Sequence, residues 1–326
     1  MKYYPESVCR SLNKKFYTLP SLKAALESGE IIEGRVVLCD SSHNLYVDLG
    51  AYRGIIPRTE GALGIIEGTV RDIALISKVN RSVCFRIKGF HAENGKTVPI
   101  LSRRSVQLSC MRDYVDKLCE GDIITARVTR LESFGAFIDI GCGINSLIPI
   151  DMLSVSRISH PRERLSDGQI IKTVLKKREP EKLTFSLKEL LGTWEENAAL
   201  FRAGETVLGI VRSVESYGVF VELTPNLAGL AEPFDGVKTG MRVSVFIKSI
   251  SPQRLKIKLA IIEAFRENTE PPQLQYFREE KHINEWRYSP AFSDKQLTTE
   301  FGIRKAEFGI EGGIPAPDSI IATNNS

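Results

Sequence analysis

The chain has no apolar run approaching the roughly 20 residues that a membrane-crossing helix needs. Its opening, MKYYPESVCRSLNKK, lacks the uninterrupted apolar stretch of a secretion signal. Six cysteines (Cys9, Cys39, Cys84, Cys110, Cys119, Cys142) form no C-x-x-C pair, and no nearby histidine completes a zinc set. Scattered thiols of this kind are expected as small buried hydrophobes in a reducing, cytoplasmic setting rather than as a disulfide framework. The four histidines, His43, His91, His160 and His282, share no spacing with a nucleophile or a metal set and are expected at the surface. GFHAENGKT at 89–97 misses a phosphate loop, because five residues separate its glycines and it falls in a hairpin. No stretch remains for a catalytic domain, so neither an enzyme nor a cofactor is expected. Charge is also scarce in net terms: 44 Lys and Arg against 40 Asp and Glu leave +4, which permits a polyanionic partner without demanding one.

What is present is repetition. A length of 326 residues suggests two or three domains, and three segments align with one another. EGRVV (33–37), LYVDLG (45–50) and RGIIP (53–57) form the first. TARVT (125–129), SFGAFIDIG (133–141) and NSLIP (145–149) form the second, and LGIVR (208–212), SYGVFVELT (216–224) and AGLAE (228–232) the third. Apolar residues alternate with period two inside each unit, the signature of strands. Leu45, Val47 and Leu49 share one face, as do Ala136, Ile138 and Ile140, and Val219, Val221 and Leu223. Five short strands in roughly 70 residues suit a closed barrel, which leaves no exposed sheet edge. Helical patterns fall between the units at 21–28, 106–118 and 188–201. Gly29, Gly121 and Gly204 follow them and are expected to end them. The expected division is an N-terminal segment with a helix at 1–30, repeat one at 31–105, a helical spacer at 106–120, and repeat two at 121–187. A second spacer at 188–203, repeat three at 204–262 and an irregular acidic tail at 263–326 complete it.

The outward faces carry the functional signal. Opposite the inward rows stand Tyr46 and Asp48, Phe137 and Asp139, and Phe220 and Glu222. An outward aromatic at one place in all three units is unexpected, because burial would ordinarily claim it. His43, Phe134 and Tyr217 lie just upstream. Residues three apart on a regular strand face opposite ways, so Gly135 and Gly218 are expected to form a kink that brings both rings to one side. Two adjacent rings make a platform for unstacked bases. The bland alternative is that they pack under a spacer helix or a neighbouring barrel. Lys172, Lys176, Lys177, Arg178 and Lys182 crowd the last hairpin of unit two, and Arg254, Lys256 and Lys258 alternate along the last strand of unit three. Flanking such a platform, these cations are placed to hold phosphates. Counted over residues 31–112, unit one has 12 Lys and Arg against 7 Asp and Glu, a net of +5, but the poorest ring pair.

The S-[FY]-G-x-F-[IV]-[DE] pattern, a following G-L-x-x segment, the closing L-[ST]-L-K and SRISHPRERLSDGQIIKTVL (156–175) together resemble the S1 family of RNA-binding repeats. The resemblance covers about residues 21–262 and is weakest in unit one. It implies an all-β fold of three tandem five-stranded OB-fold barrels joined by short helices, with an irregular C-terminal tail. It also implies a face that binds single-stranded RNA through two strand-two aromatics and a basic residue near strand five. Those positions fall on Phe134 and Phe137, Tyr217 and Phe220, and Lys182 and Arg254. The family's strand-three histidine is replaced by Pro57, Pro149 and Glu232. The expected RNA-binding set is Phe134, Phe137, Lys176, Lys177, Lys182, Tyr217, Phe220, Arg254, Lys256, Tyr46 and His43. The expected partners are single-stranded RNA or mRNA and the small ribosomal subunit, with no membrane and a monomeric state. A protein-interaction adaptor that docks through Tyr276, Phe277, Trp286, Tyr288 and Phe292, and an accessory to RNA decay, are the alternatives; the same aromatic segment reads equally as a weakly ordered strap folded over the third barrel.

Overall fold

A computed structural model describes residues 3–7, 17–93, 95–180, 182–265 and 273–301. Helix α1 (Leu19–Ser28) leads into β1 (Ile32–Cys39), β2 (Leu45–Asp48) and β3 (Arg53–Ile56). A one-turn helix α2 (Ile73–Ile76) follows, then β4 (Ser82–Glu93) and β5 (Lys96–Ser102). These strands close in the order β1-β2-β3-β5-β4. Helix α3 (Arg103–Asp113) joins this barrel to the next, built from β6 (Ile123–Glu132), β7 (Gly135–Asp139), β8 (Asn145–Pro149), β9 (Ile170–Glu179) and β10 (Lys182–Ser186). After α4 (Trp194–Ala198), strands β11 (Thr206–Glu215), β12 (Gly218–Thr224), β13 (Leu227–Ala231), β14 (Arg242–Ser251) and β15 (Lys256–Phe265) close the third barrel. Among the described residues, no helix is long and apolar enough to cross a membrane.

The interiors follow from the alternation. Leu45 and Val47, Ala136 and Ile138, and Val219 and Val221 are fully buried, and the residues between them point outward. Burying one such aliphatic side chain contributes roughly 1.5–3 kcal/mol. The spacers depart from expectation. Gly29 ends α1 in the left-handed conformation (φ 64°) that suits a helix end. Gly121 and Gly204 (φ 93° and 92°) end no helix. Each opens a strand, donating its N–H to Leu175 O and to Ile247 O at matching places in barrels two and three. The helix expected at 188–201 is a 3-10 turn over Lys188–Leu190 followed by the short α4. Gly192, at φ 84° between them, accommodates the Phe277 ring, which a Cβ would approach to 2.8 Å.

In the tail, β15 runs to Phe265, past the expected end of repeat three, and residues 273–301 follow a largely irregular course as a strap across barrels two and three. The rest of the expected tail, 266–272 and 302–326, lies outside the described residues. Ile283 N donates to Gly121 O, and Ile123 N donates to Lys281 O. Strands β16 (Glu285–Arg287) and β17 (Thr298–Glu300) pair with each other. Trp286 and Tyr288 enter the hydrophobic cluster of the third barrel, and the Tyr288 hydroxyl donates to Asn226 O at 2.6 Å. A docking segment would have to offer these rings to a partner, but folding has already buried them; only Phe292 of the set is largely exposed. His282 is not at the open surface either, since its Nδ1 lies 2.8 Å from Asp122 Oδ1 in a largely buried pair.

The N-terminal residues 3–7 wedge between barrels one and two. Buried Glu6 receives Arg103 Nε at 2.7 Å and Lys78 Nζ at 3.2 Å, while its backbone N–H donates to Asp139 Oδ2 at 2.7 Å. Burial alone would raise the Glu6 carboxyl, but Arg103 and Lys78 outweigh it and hold the group at about 2. Cys84, Cys110 and Cys142, far apart in sequence, meet at this seam as buried free thiols. Glu6 titrates below its unfolded value, so its contribution is complete above about pH 4.5 and is lost as the pH falls towards about 2. Glu6→Gln is therefore expected to lower the unfolding midpoint at neutral pH and to make its decline below pH 4.5 shallower than in the wild type. A pH series of thermal melts on both proteins checks this, and parallel acid limbs would contradict it.

Candidate nucleic-acid interface

Phe134 lies in the turn between β6 and β7 rather than on a strand, so strand alternation does not force it away from Phe137. Their ring centroids are 5.8 Å apart at 89°, edge to face. Tyr217, in the β11–β12 turn, meets Phe220 in the same way at 6.2 Å and 89°. The turn rings are the open ones, 55% exposed for Phe134 and 64% for Tyr217. Gly135 and Gly218 are needed for a different reason from the expected kink. A Cβ on either would come within 2.4 Å of a carbonyl of the neighbouring strand, Ile148 O or Ala231 O. The irregularity itself sits on the partner strand, where pairing slips between Val36 and Leu38, Val128 and Arg130, and Val211 and Ser213. It occupies the same place in all three barrels.

This shared slip sets one cross-strand row on each outer face. In barrel two it reads Arg130, Phe137, Leu147, Thr184, Lys177. In barrel three it reads Ser213, Phe220, Leu230, Lys258, Ser249. In barrel one it reads Leu38, Tyr46, Ile55, Ile100, Gly89, with no cation. Tyr46 donates its hydroxyl to Asp40 at 3.3 Å, and His43, in the β1–β2 turn at φ 62°, places Nδ1 3.8 Å from Asp72.

The cations divide as well. Lys177 and Lys182 are exposed, Lys177 with its Nζ 2.7 Å from Glu179. Lys182 borders a hollow of about 230 Å³ shared with Arg178 and Asn145. Arg254 in the β14–β15 turn and Lys256 and Lys258 on β15 are exposed. Lys176 does not belong with them. Its ammonium lies 3.2 Å from Glu189, 2.7 Å from Thr299 Oγ1 and 5.0 Å from the centroid of the Phe301 ring, so it fastens the strap to barrel two. On β9 the partner of Thr184 is Lys177 and that of Phe185 is Leu175, so the ladder skips Lys176, which turns towards the strap.

Two acidic residues expected beside the aromatics are elsewhere. Asp139 is buried at the seam, accepting from the backbone of Glu6, Gly141 and Gly143, and burial next to the Glu6 carboxylate pushes its own carboxyl up to about 7. Glu222 is buried between Arg164 and Arg212. Neither presents charge to the outer face. Glu232, at the position of the missing strand-three histidine, is exposed and paired with Lys248 at 2.6 Å. Sequence reasoning overlooked Arg130, which pairs with Glu132 and faces the Phe137 row. Its signal was available: buried apolar residues on β6 step by two as far as Val128 and then by three to Leu131, which marks the slip.

The S1 RNA binding domain model matches residues 117–188, the barrel that bears Phe134 and Phe137. The second barrel is an S1 RNA binding domain. The S1 likeness extends well beyond it. The chain is 30% identical over 258 residues to the small ribosomal subunit protein bS1 of Staphylococcus aureus strain COL, covering 74% of this chain and 63% of that protein. It is 29% identical over 242 residues to the bS1 homolog of Bacillus cereus, covering 69% and 61%. The chain thus spans less than two thirds of the length of these S1 relatives. A crystal structure of a multidomain protein with nucleic acid binding domains from Streptococcus pneumoniae aligns over 72% of this chain and 73% of that one, at 14% identity and a TM-score of 0.24.

Lys176→Met is expected to leave oligonucleotide affinity within about twofold of wild type while lowering the unfolding midpoint, because it removes a strap contact and leaves buried Glu189 without its ammonium. Filter binding together with thermal melts separates the two effects, and a selective loss of affinity would return Lys176 to the interface.

Proposed function

We propose that barrels two and three capture single-stranded RNA without chemistry, each stacking bases on its turn ring and holding the backbone with nearby cations. The observation that carries this reading is the recurrence of one arrangement in two barrels: an exposed ring, a second ring edge-on beneath it, and a lysine in the same cross-strand row. An edge-on pair fixes the outer ring in place and leaves its face to a base, and each stack contributes roughly 1–3 kcal/mol whatever the base. Lys177, Lys182, Arg254, Lys256 and Lys258 supply sequence-independent attraction to phosphates. Barrels in series add avidity, so each site works at modest affinity. With its likeness to bS1 proteins, the natural substrate is mRNA near the small ribosomal subunit in the cytoplasm, bound by a monomer. Barrel one contributes least through its own face, where Tyr46 and His43 engage carboxylates and the row has no cation. The adaptor reading is left with Phe292 as its open ring, because Trp286 and Tyr288 are structural.

Phe134→Ala combined with Phe137→Ala is expected to weaken binding of a polyuridylate oligonucleotide several-fold or more, on the order of 1 kcal/mol or above per lost stack. Tyr217→Ala with Phe220→Ala should act alike, and Tyr46→Ala should change little. Filter-binding titrations of folded variants at fixed salt decide the matter. Equal affinity for all four proteins would end the stacking model.

A further inference from the structure

A groove of about 970 Å³ lies where barrel one meets barrel two. One wall is the loop of barrel one that leads into β4, with Arg81 at its rim; the other is the outer side of β6, with Arg127 and Arg130. Phe137 lines the same groove, so it is continuous with the ring pair of barrel two. Arg127 and Arg130 lie on one strand three residues apart, about 10 Å along it, and the slip between Val128 and Arg130 lets the strand face the groove at both places.

The charges of this groove are unevenly spent. Its buried carboxylates are already committed: Glu6 to Arg103 and Lys78, and Asp139 to three backbone N–H groups. Asp167 lies on the rim, and Arg130 shares its charge with Glu132. Arg81 and Arg127, by contrast, have no carboxylate partner among the described residues, and Arg81 is exposed. Two uncompensated guanidiniums on opposite walls of an open, polar groove that begins at an aromatic face suit a bound polyanion. Guanidinium matches phosphate oxygens two at a time, which a solvated surface has no need of.

We infer that the groove between barrels one and two is a track for the RNA backbone, in which Arg127 and Arg81 hold phosphates of the strand that leaves the Phe134–Phe137 platform. This extends the RNA-capture reading above and rests on it. It also gives barrel one a part in binding that its own cation-free row does not provide: Arg81 acts at the seam. The track is sequence-blind, and it lengthens the site beyond what one barrel face covers.

The test uses the full chain with Arg81→Gln and Arg127→Gln together, titrated with polyuridylate of about 4 and about 12 nucleotides, lengths spanning the site sizes of single barrels of this kind. The 12-mer should bind several-fold more weakly than to the wild type. The slope of its log affinity against log salt should become shallower by about 1.4, two phosphate contacts at about 0.7 each. The 4-mer, held by the rings, should bind as before. Arg81→Lys with Arg127→Lys, which keeps both charges, should recover most of the salt slope, excluding a folding defect as the cause. An unchanged 12-mer affinity and slope in the Gln variant, alongside a loss in the Phe134→Ala, Phe137→Ala variant, overturns the track and leaves the platform standing. A shallower slope in the Gln variant, with no effect of the ring variant, leaves the track and removes the platform.

Discussion

A five-stranded sheet closed on itself has room inside for side chains and nothing else. That constraint governs everything in this molecule. Inward positions must fill space and are almost all apolar, as Val47, Ile138 and Val221 are, so any binding has to be done on the outside. Closure also fixes strand register, because a slip of one residue would turn a whole row of core residues into water. One slip common to all three barrels falls at the same place on the first strand of each. It brings one residue of that strand into line with the outward aromatic of the next. The binding face follows from how the barrel closes.

Three copies of one frame thus carry three different rows. Barrel two sets arginine and lysine at either end of Phe137, barrel three sets a lysine beyond Phe220, and barrel one lines Tyr46 with aliphatics. The frame is indifferent to these outward choices, since none of them touches the core. Repetition preserved the scaffold while the faces diverged, and net charge alone misleads about which face is suited to phosphates. Barrel one is the most basic by count, yet part of its charge is spent on Glu6 and Asp72 and part lies at the seam.

The barrels are not beads on a flexible string. Between the first and second, Glu6 binds two cations from barrel one and the following helix while its backbone holds Asp139 of barrel two. Breaking such a buried set by removing one member costs far more than the set contributes over an apolar substitute, so it acts as a latch with a defined geometry. Between the second and third, the strap adds backbone pairing and two large aromatics. Fixed spacing between barrels reduces the entropy lost when one strand of nucleic acid occupies neighbouring sites.

Much of this was legible in the residues themselves. Period-two alternation, repeated three times with turn chemistry between, determined the strands, the barrels and the outward place of Tyr46, Phe137 and Phe220, because which side of a strand a residue faces is a local property. The proximity of Phe134 to Phe137 was legible too, although its cause is a turn and not a kink. What the sequence could not decide were contacts between elements far apart along the chain. Lys176 reads as one more cation in a basic hairpin until residues 299–301 arrive from the far end to cover it. Asp139 and Glu222 read as outward acids until Glu6, Arg164 and Arg212 close over them. Trp286 and Tyr288 read equally as a docking segment or as a strap over the third barrel until that barrel takes them into its core. Local alternation says whether a side chain leaves its own sheet; only the assembled molecule decides whether it then meets water or another part of the chain.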